Sequence, residues 1–317
     1  MTGLFDVLGK ADRAFGTLRG RRGRDTVFDV SLISLDGRPV SYQDRVSVKV
    51  DRSASSVTDP DLVVVPALDD DLEPSLALNA PWVPWIARWH RSGAVVASSC
   101  SGAFLLAEAG ILDGRTATTH WMYADELKRR FPAVRVDAAR LLIDHGDLIT
   151  SGGATTFLDL ALYILERFSG RERANAAARV LLIDGARTSQ LPYVALAAAH
   201  RDHGDDLVRR AQDLIEAGLS RTLRVSDIAA RVALSTRTMS RRFQDALGRS
   251  PQAYIRQRRI ETAQRLLEAT NQPIETVRRQ VGYRDPTAFR RAFRHSTGLS
   301  PTEYRDRYGW DTVAKHA

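Results

Sequence analysis

The chain has 317 residues, 44% hydrophobic and 26% charged, a composition that is typical of a globular protein and does not indicate intrinsic disorder. No apolar run approaches the roughly 20 residues that span a bilayer, and the first residues lack the basic-then-apolar order of a signal peptide, so no membrane partner is expected. The single cysteine, Cys100, excludes an internal disulfide and favours a reducing compartment, so we expect a cytoplasmic protein.

The first two-thirds of the chain alternates predicted strands with predicted helices. Near-continuous apolar runs at residues 61–66 and 93–98 are typical of parallel strands that are buried on both faces. The other predicted elements are a strand at residues 26–34, rich in β-branched and aromatic side chains, and helices at residues 80–91, 102–110 and 156–166. This alternation predicts a doubly wound α/β domain over residues 1–185.

Cys100 lies between the predicted strand at 93–98 and the predicted helix at 102–110. The amides at a helix N-terminus favour a thiolate, and His120 follows twenty residues later. The two residues are therefore candidates for a catalytic nucleophile and its base. The alternative is that Cys100 is a small buried hydrophobe and His120 a structural histidine.

The residues around Cys100 resemble the PfpI-type, class I glutamine amidotransferase-like domain. The resemblance depends on Cys100-Ser-Gly-Ala-Phe-Leu-Leu-Ala, on Thr118-Thr-His-Trp121 and on Ile149-Thr-Ser-Gly-Gly-Ala154. It spans roughly residues 1–185 and implies a flavodoxin-like sheet. It also implies a ligand site around the cysteine, to which we assign Cys100, Ser101, His120, Gly152 and Gly153.

The beginning of the chain departs from that family pattern. Domains of this type open with a buried strand, followed by an acidic residue beside the cysteine and then a helix. Met1-Thr-Gly-Leu-Phe-Asp-Val resembles the helix itself, so we expect the sheet to lack its first strand and Cys100 to lack its acidic partner. This departure favours a regulatory over a catalytic role.

The last third of the chain differs from the rest in pattern and in charge. Pro192 and the alanine run that follows it predict a linker over residues 186–205, and residues 206–317 contain only predicted helices. Residues 1–200 carry 23 Lys and Arg against 24 Asp and Glu, whereas residues 201–317 carry 23 against 14. A localised positive charge is typical of phosphate contact, although a solvated basic face is the alternative.

One pattern occurs twice in this basic region. Phe243-Gln-Asp-Ala-Leu-Gly-Arg-Ser-Pro-Gln-Ala-Tyr254 returns fifty positions later as Phe293-Arg-His-Ser-Thr-Gly-Leu-Ser-Pro-Thr-Glu-Tyr304. At the same offset, Ser235 and Met239 correspond to Asp285 and Phe289. Two copies of an arginine-rich helical unit predict two DNA-reading modules in tandem.

Each copy is predicted to contain a short helix, a turn and a second helix with a capping residue at its start. Ser235 is expected to cap a helix over 236–246, and Asp285, followed by Pro286, is expected to cap the corresponding helix in the second copy. A long helix over residues 251–269 is expected to set the modules about one DNA turn, roughly 34 Å, apart. The residues that should face outward, toward a major groove, are Arg237, Ser240, Arg241, Thr287, Arg290 and Arg291.

Residues 207–308 resemble the AraC/XylS-type DNA-binding domain, two helix-turn-helix motifs joined by a rigid helix. The strongest signature is Val281-Gly-Tyr-Arg-Asp-Pro-Thr-Ala-Phe-Arg-Arg-Ala-Phe293. A PfpI-type domain followed by this domain is the arrangement of GlxA-like transcriptional regulators. The resemblance implies a non-catalytic regulator of double-stranded DNA that senses a small-molecule effector and dimerises through the α/β domain.

Two alternatives remain. A PfpI-like cysteine enzyme, hydrolase or hydratase, would use Cys100 and His120 but would leave the basic domain unexplained. In the other, the α/β domain is only a dimerisation platform. No cofactor is expected, and no Cys/His cluster has the spacing of a metal site.

Overall fold

The computed structural model divides into two compact units, Met1–Gln190 and Leu191–Ala317. Most of the predicted linker, residues 186–205, lies outside the described residues. Among the described residues, no helix combines the length and apolar character that a membrane span needs. The structure describes residues 2–18, 27–42, 46–69, 71–184, 187, 189–191 and 203–309, with the side chains of 2, 12–18 and 42 excepted.

The first unit has both helices and strands. Its helices are α1 (Thr2–Leu18), α2 (Leu72–Asn79), α3 (Val83–Arg91), α4 (Ala103–Glu108), α5 (Ala124–Arg130), α6 (Thr156–Ser169) and α7 (Arg171–Val180). Its strands are β1 (Ile33–Ser34), β2 (Val40–Tyr42), β3 (Val46–Val48), β4 (Arg52–Ser53), β5 (Leu62–Val65), β6 (Val95–Ser99), β7 (Thr116–Ala117), β8 (Arg135–Val136), β9 (Leu142–Asp144) and β10 (Leu148–Ser151).

The central sheet of this unit has the order β5-β6-β10-β9. The first three strands are parallel, and β9 is antiparallel to β10. Successive residues of β6 point to opposite faces of this sheet. Val96 packs against α2 to α5 on one face, and Ala97 packs against α1, α6 and α7 on the other. Helices therefore cover both faces, and the predicted doubly wound α/β fold is confirmed.

The predicted strand at residues 26–34 is largely wrong. Within the described residues 27–34, only β1 is a strand, and it pairs with the equally short β4. At Leu32, just before β1, the amide donates to the Asp51 carboxylate at 2.8 Å, while the carbonyl accepts the Asp51 amide at 2.7 Å. Phe28 and Val30 pack against the core that contains α6. Their apolar character thus reflects burial without ladder pairing.

Within residues 203–309 of the second unit, all the regular elements are helices, as predicted. One core surrounds Met239 and Phe243, and another surrounds Phe289 and Phe293. The helices are α8 (Asp206–Ala217), α9 (Val225–Arg231), α10 (Thr236–Leu247), α11 (Pro251–Ala269), α12 (Ile274–Gln280), α13 (Pro286–Thr297) and α14 (Pro301–Tyr308).

Candidate nucleic-acid interface and ligand site

The first helix-turn-helix consists of α9, a four-residue turn and α10. Ser235 caps α10 because its hydroxyl accepts the Thr238 amide at 3.1 Å, which satisfies one of the free amides of the first turn. Met239 and Phe243, one turn apart, are fully buried against α8 and α9. The opposite side of α10 is therefore the side that faces solvent.

The second helix-turn-helix repeats this construction with different chemistry. The Asp285 carboxylate accepts the amides of Thr287 at 2.9 Å and Ala288 at 3.2 Å, and Pro286 occupies the first helical position. Phe289 and Phe293 are buried where Met239 and Phe243 lie in the first copy. The predicted caps and core-facing residues of α10 and α13 thus have the positions that we expected.

Five of the six predicted base-reading residues are exposed, and Ser240 is half-buried. Within the described residues, none of the four predicted arginines, Arg237, Arg241, Arg290 and Arg291, forms an ion pair, whereas Arg242 on the same helix α10 binds Asp205 at 2.8 Å. Exposed guanidinium groups without carboxylate partners remain able to pair with phosphates or with guanine.

The long helix α11 joins the two modules. Its 19 residues correspond to roughly 28 Å at about 1.5 Å per residue. Near its middle, Arg259 donates to the Arg221 carbonyl at 2.7 Å, and its guanidinium lies 5.7 Å from the ring centre of Tyr283. Arg221 belongs to the first module and Tyr283 to the second, so Arg259 contacts both. Burial lowers the pKa of Arg259.

In the α/β unit, Cys100 follows β6 directly and has a φ of +56°, which is unusual for a residue other than glycine. Its amide donates to the Gly152 carbonyl at 3.0 Å, and its carbonyl accepts the Thr119 hydroxyl at 2.8 Å. Within the described residues, the thiol itself makes no hydrogen bond. Cys100 is thus held at a strand-to-helix elbow by its backbone.

The other predicted ligand-site residues lie around this elbow. The Ser101 hydroxyl accepts the Leu68 amide at 2.8 Å, which fixes the loop after β5. The imidazole of His120 lies directly over Gly153, because a Cβ on Gly153 would fall 1.5 Å from His120 Cδ2. His120 Nδ1 also accepts the Met122 amide at 3.1 Å. The structure therefore gathers these loops at the carboxyl ends of β5, β6 and β10, where open α/β sheets bind ligands.

Sequence reasoning missed one residue at this place, Gln190, which falls within the predicted linker. It is 3% exposed, and its side chain lies so close to Gly152 that a Cβ there would be 2.5 Å from Gln190 Cδ. The Gly153 amide donates to Gln190 Oε1 at 3.4 Å. A lone glutamine in a loop has no periodicity or motif, so no signal in the sequence identified it.

Two family models match the chain. The model described as the DJ-1/PfpI family matches residues 18–167, and the model of a helix-turn-helix domain matches residues 228–307. Together they cover the elbow site and both α10 and α13.

Several known proteins are similar over most of the chain. The HTH-type transcriptional regulator CdhR of Pseudomonas aeruginosa is 29% identical over 276 residues, which are 86% of this chain and 80% of that protein. GlxA of Rhizobium meliloti, also an HTH-type transcriptional regulator, is 28% identical over 71% of this chain and 69% of its own length. The crystal structure of a ThiJ/PfpI family protein from Pseudomonas syringae aligns with a TM-score of 0.44 and 22% identity, over 66% of this chain and 80% of that chain.

Proposed function

We propose how this chain, which joins a DJ-1/PfpI domain to an AraC-type helix-turn-helix domain and is similar to the transcriptional regulators CdhR and GlxA, reads DNA and receives a signal. It is a DNA-binding regulator and not an enzyme. We propose that α10 and α13 enter successive major-groove segments, with the base-reading set Arg237, Ser240, Arg241, Thr287, Arg290 and Arg291.

The observation that carries this proposal is the pair of arginines on each helix. Arg237 and Arg241 are one turn apart on α10, and Arg290 and Arg291 are adjacent on α13. All four are exposed and, within the described residues, without ion-pair partners. The buried side chains on the opposite sides of α10 and α13 form the cores of the two modules. The four arginines lie outside those cores and are therefore available to contact DNA.

We propose that residues 1–185 sense a small-molecule effector at the elbow and form a homodimer, that residues 186–205 link the domains, and that residues 206–317 bind the operator in the cytoplasm. The polar groups that meet at the carboxyl ends of three strands support an effector site around Cys100, Ser101, His120, Gly152 and Gly153. The similarity to curated transcriptional regulators supports sensing over catalysis at this site.

The test is binding of the 317-residue chain to DNA from upstream of its own gene, measured by fluorescence anisotropy against a scrambled duplex at several salt concentrations. We expect tight binding that survives excess scrambled competitor and weakens steeply with salt. Arg241→Ala and Arg291→Ala should each cost about 1–3 kcal/mol on the specific duplex. Base reading predicts a smaller loss on the scrambled duplex, whereas phosphate contact predicts equal losses.

Arg171→Ala is the control, because it removes the same charge from an exposed position on α7 of the other unit. It should leave both affinities unchanged. Unchanged specific affinity in both the Arg241→Ala and the Arg291→Ala variants would refute the assignment of the readers.

A further inference from the structure

The start of the linker is attached to the elbow site by three side chains, Arg187, Ser189 and Gln190, which together are called the anchor segment. Arg187 donates to the Thr155 hydroxyl at 2.9 Å and pairs with Asp159 at 2.5 Å. Ser189 donates to the Ala139 carbonyl at 2.8 Å. The anchor segment therefore contacts both the loop that precedes α6 and the loop that precedes β9.

Gln190 is the most deeply buried of the three and reaches the elbow itself. Its Nε2 donates to the Thr119 carbonyl at 2.8 Å and to the Arg140 carbonyl at 3.0 Å, with the Thr118 hydroxyl at 3.1 Å. Its Oε1 accepts the Gly153 amide at 3.4 Å. This amide orientation fits its surroundings, because every neighbour of Nε2 is an acceptor, two of which its two hydrogens can serve at a time, and the neighbour of Oε1 is a donor.

These partners belong to the ligand site proposed above. The Thr119 hydroxyl donates to the Cys100 carbonyl at 2.8 Å, and Thr119 is followed directly by His120. The His120 ring lies over Gly153. Gly152 has no side chain, and the space that a Cβ would need is filled by the Gln190 amide. The site and the anchor segment thus share atoms, and a group that enters between these loops meets Gln190 directly.

We propose that Gln190 couples the elbow site to the linker: a ligand in the site takes over the hydrogen bonds of the Gln190 amide, and the anchor segment then detaches from the α/β unit. This inference rests on the proposed effector site. Gln190 is a positioning residue whose release changes the tether of the DNA-binding domain. Because coupling is reciprocal, detachment of the anchor segment must also open the elbow.

The first test uses wild-type protein and iodoacetamide, which can alkylate only one cysteine, Cys100. The Cys100 thiol loses its proton to the buffer, its sulfur displaces iodide to form a carbon–sulfur bond, and an amide-bearing group is added at the elbow. The readout is the rate at which trypsin cleaves after Arg187, whose side chain is 18% exposed while it is bound to Asp159. Alkylated protein should be cleaved there at least about fivefold faster than unmodified protein.

The second test runs in the opposite direction with Gln190→Ala in the full chain. Loss of these hydrogen bonds should raise the alkylation rate of Cys100 and the cleavage rate after Arg187 together, each by about fivefold or more. Ser169→Ala is the control, because it removes one hydroxyl-to-carbonyl bond of 2.6 Å from the same unit, at the end of α6. Neither rate should change in that variant.

Cleavage after Lys128, within α5, reports unfolding of the whole unit and should stay at the wild-type rate. If Gln190→Ala accelerates it as well, the wild-type alkylation experiment alone decides. The proposal is overturned if alkylation of Cys100 leaves cleavage after Arg187 unchanged, or if a folded Gln190→Ala variant releases the anchor segment without changing Cys100 alkylation. Neither readout involves DNA, so failure here is distinct from failure of operator binding.

Discussion

Gly282 lies in the turn between α12 and α13. We expect replacement of Gly282 by alanine to destabilise the second unit more than the same replacement of Gly298, the glycine that follows α13. The φ of Gly282 is +79°, so alanine would adopt a left-handed conformation that costs about 1–2 kcal/mol. Its Cβ would also fall 2.3 Å from the Leu219 carbonyl oxygen and 2.7 Å from Arg259 Nη2. The carbonyl is main chain and cannot turn aside, so the backbone must shift at a further cost of about 1–3 kcal/mol.

Gly298, which ends α13, provides a matched comparison. Its φ is +75°, but a Cβ there would have no neighbour within 4 Å. Gly298→Ala should therefore incur only the conformational cost, about 1–2 kcal/mol. The difference between the two variants isolates the clash with the first module.

The free energy of opening of the second unit is best measured in the whole chain, by amide hydrogen exchange of peptides from α11. We expect Gly282→Ala to lower the opening free energy by about 1–3 kcal/mol more than Gly298→Ala does. It should also weaken operator binding, because Gly282 packs where the two modules meet. Equal losses in the two variants, within about 0.5 kcal/mol, would show that the modules separate there without cost and would refute the reasoning.

Two further outcomes follow from buried and charged groups. Tyr304→Phe removes the hydroxyl that donates to Glu268 at 2.6 Å, and should lower the free energy of opening of the second unit by about 1–3 kcal/mol. Tyr254→Phe removes a longer bond, 3.2 Å to Glu216, and should lower the same free energy by less. The Arg115 guanidinium holds the pKa of Asp147 well below its usual value, so its stabilisation is present above an unfolded-state pKa of about 3.9 and is lost as the pH falls further. Asp147→Asn should melt below wild type near pH 7, and thermal scans should find the gap between the two proteins narrowing as the pH falls below about 4.

The repeat in the sequence was visible only where both copies have the same spacing. The structure extends it by one helix, because Gln212 and Glu216 on α8 correspond to Gln264 and Glu268 on α11, at an offset of 52 instead of 50. Each tyrosine of the repeat bonds to the glutamate of its own copy. The connection between α8 and α9 is longer than that between α11 and α12, whereas the turn before α10 is shorter than that before α13. A comparison at one fixed offset cannot detect helices on both sides of such changes.

The sequence predicts the location of the elbow site, but it does not predict every residue that lies there. Cys100 and the glycines lie at strand ends that apolar runs already indicate, so their convergence follows from the fold. Gln190 is distant in sequence from Thr119 and Gly153, and it reaches them because the chain returns after α7. The failed strand at 26–34 has the same cause, since residue composition reports burial but does not report which backbone lies alongside.

The extended repeat changes how α11 is understood. Its first turns, from Pro251 through Tyr254, correspond to α14, which closes the second module. Its last turns, from Ile260 through Leu267, correspond to α8, which opens the first module. The helix is therefore the last helix of one module and the first helix of the next, without a loop between them.

In a continuous helix each residue adds about 1.5 Å and about 100° of rotation, so both the separation and the relative rotation of α10 and α13 are set by the number of residues in α11. Arg259 lies at the junction and binds both modules. In the binding mode proposed above, an operator with a different distance between its two half-sites must deform to fit, so the helix itself contributes to DNA specificity.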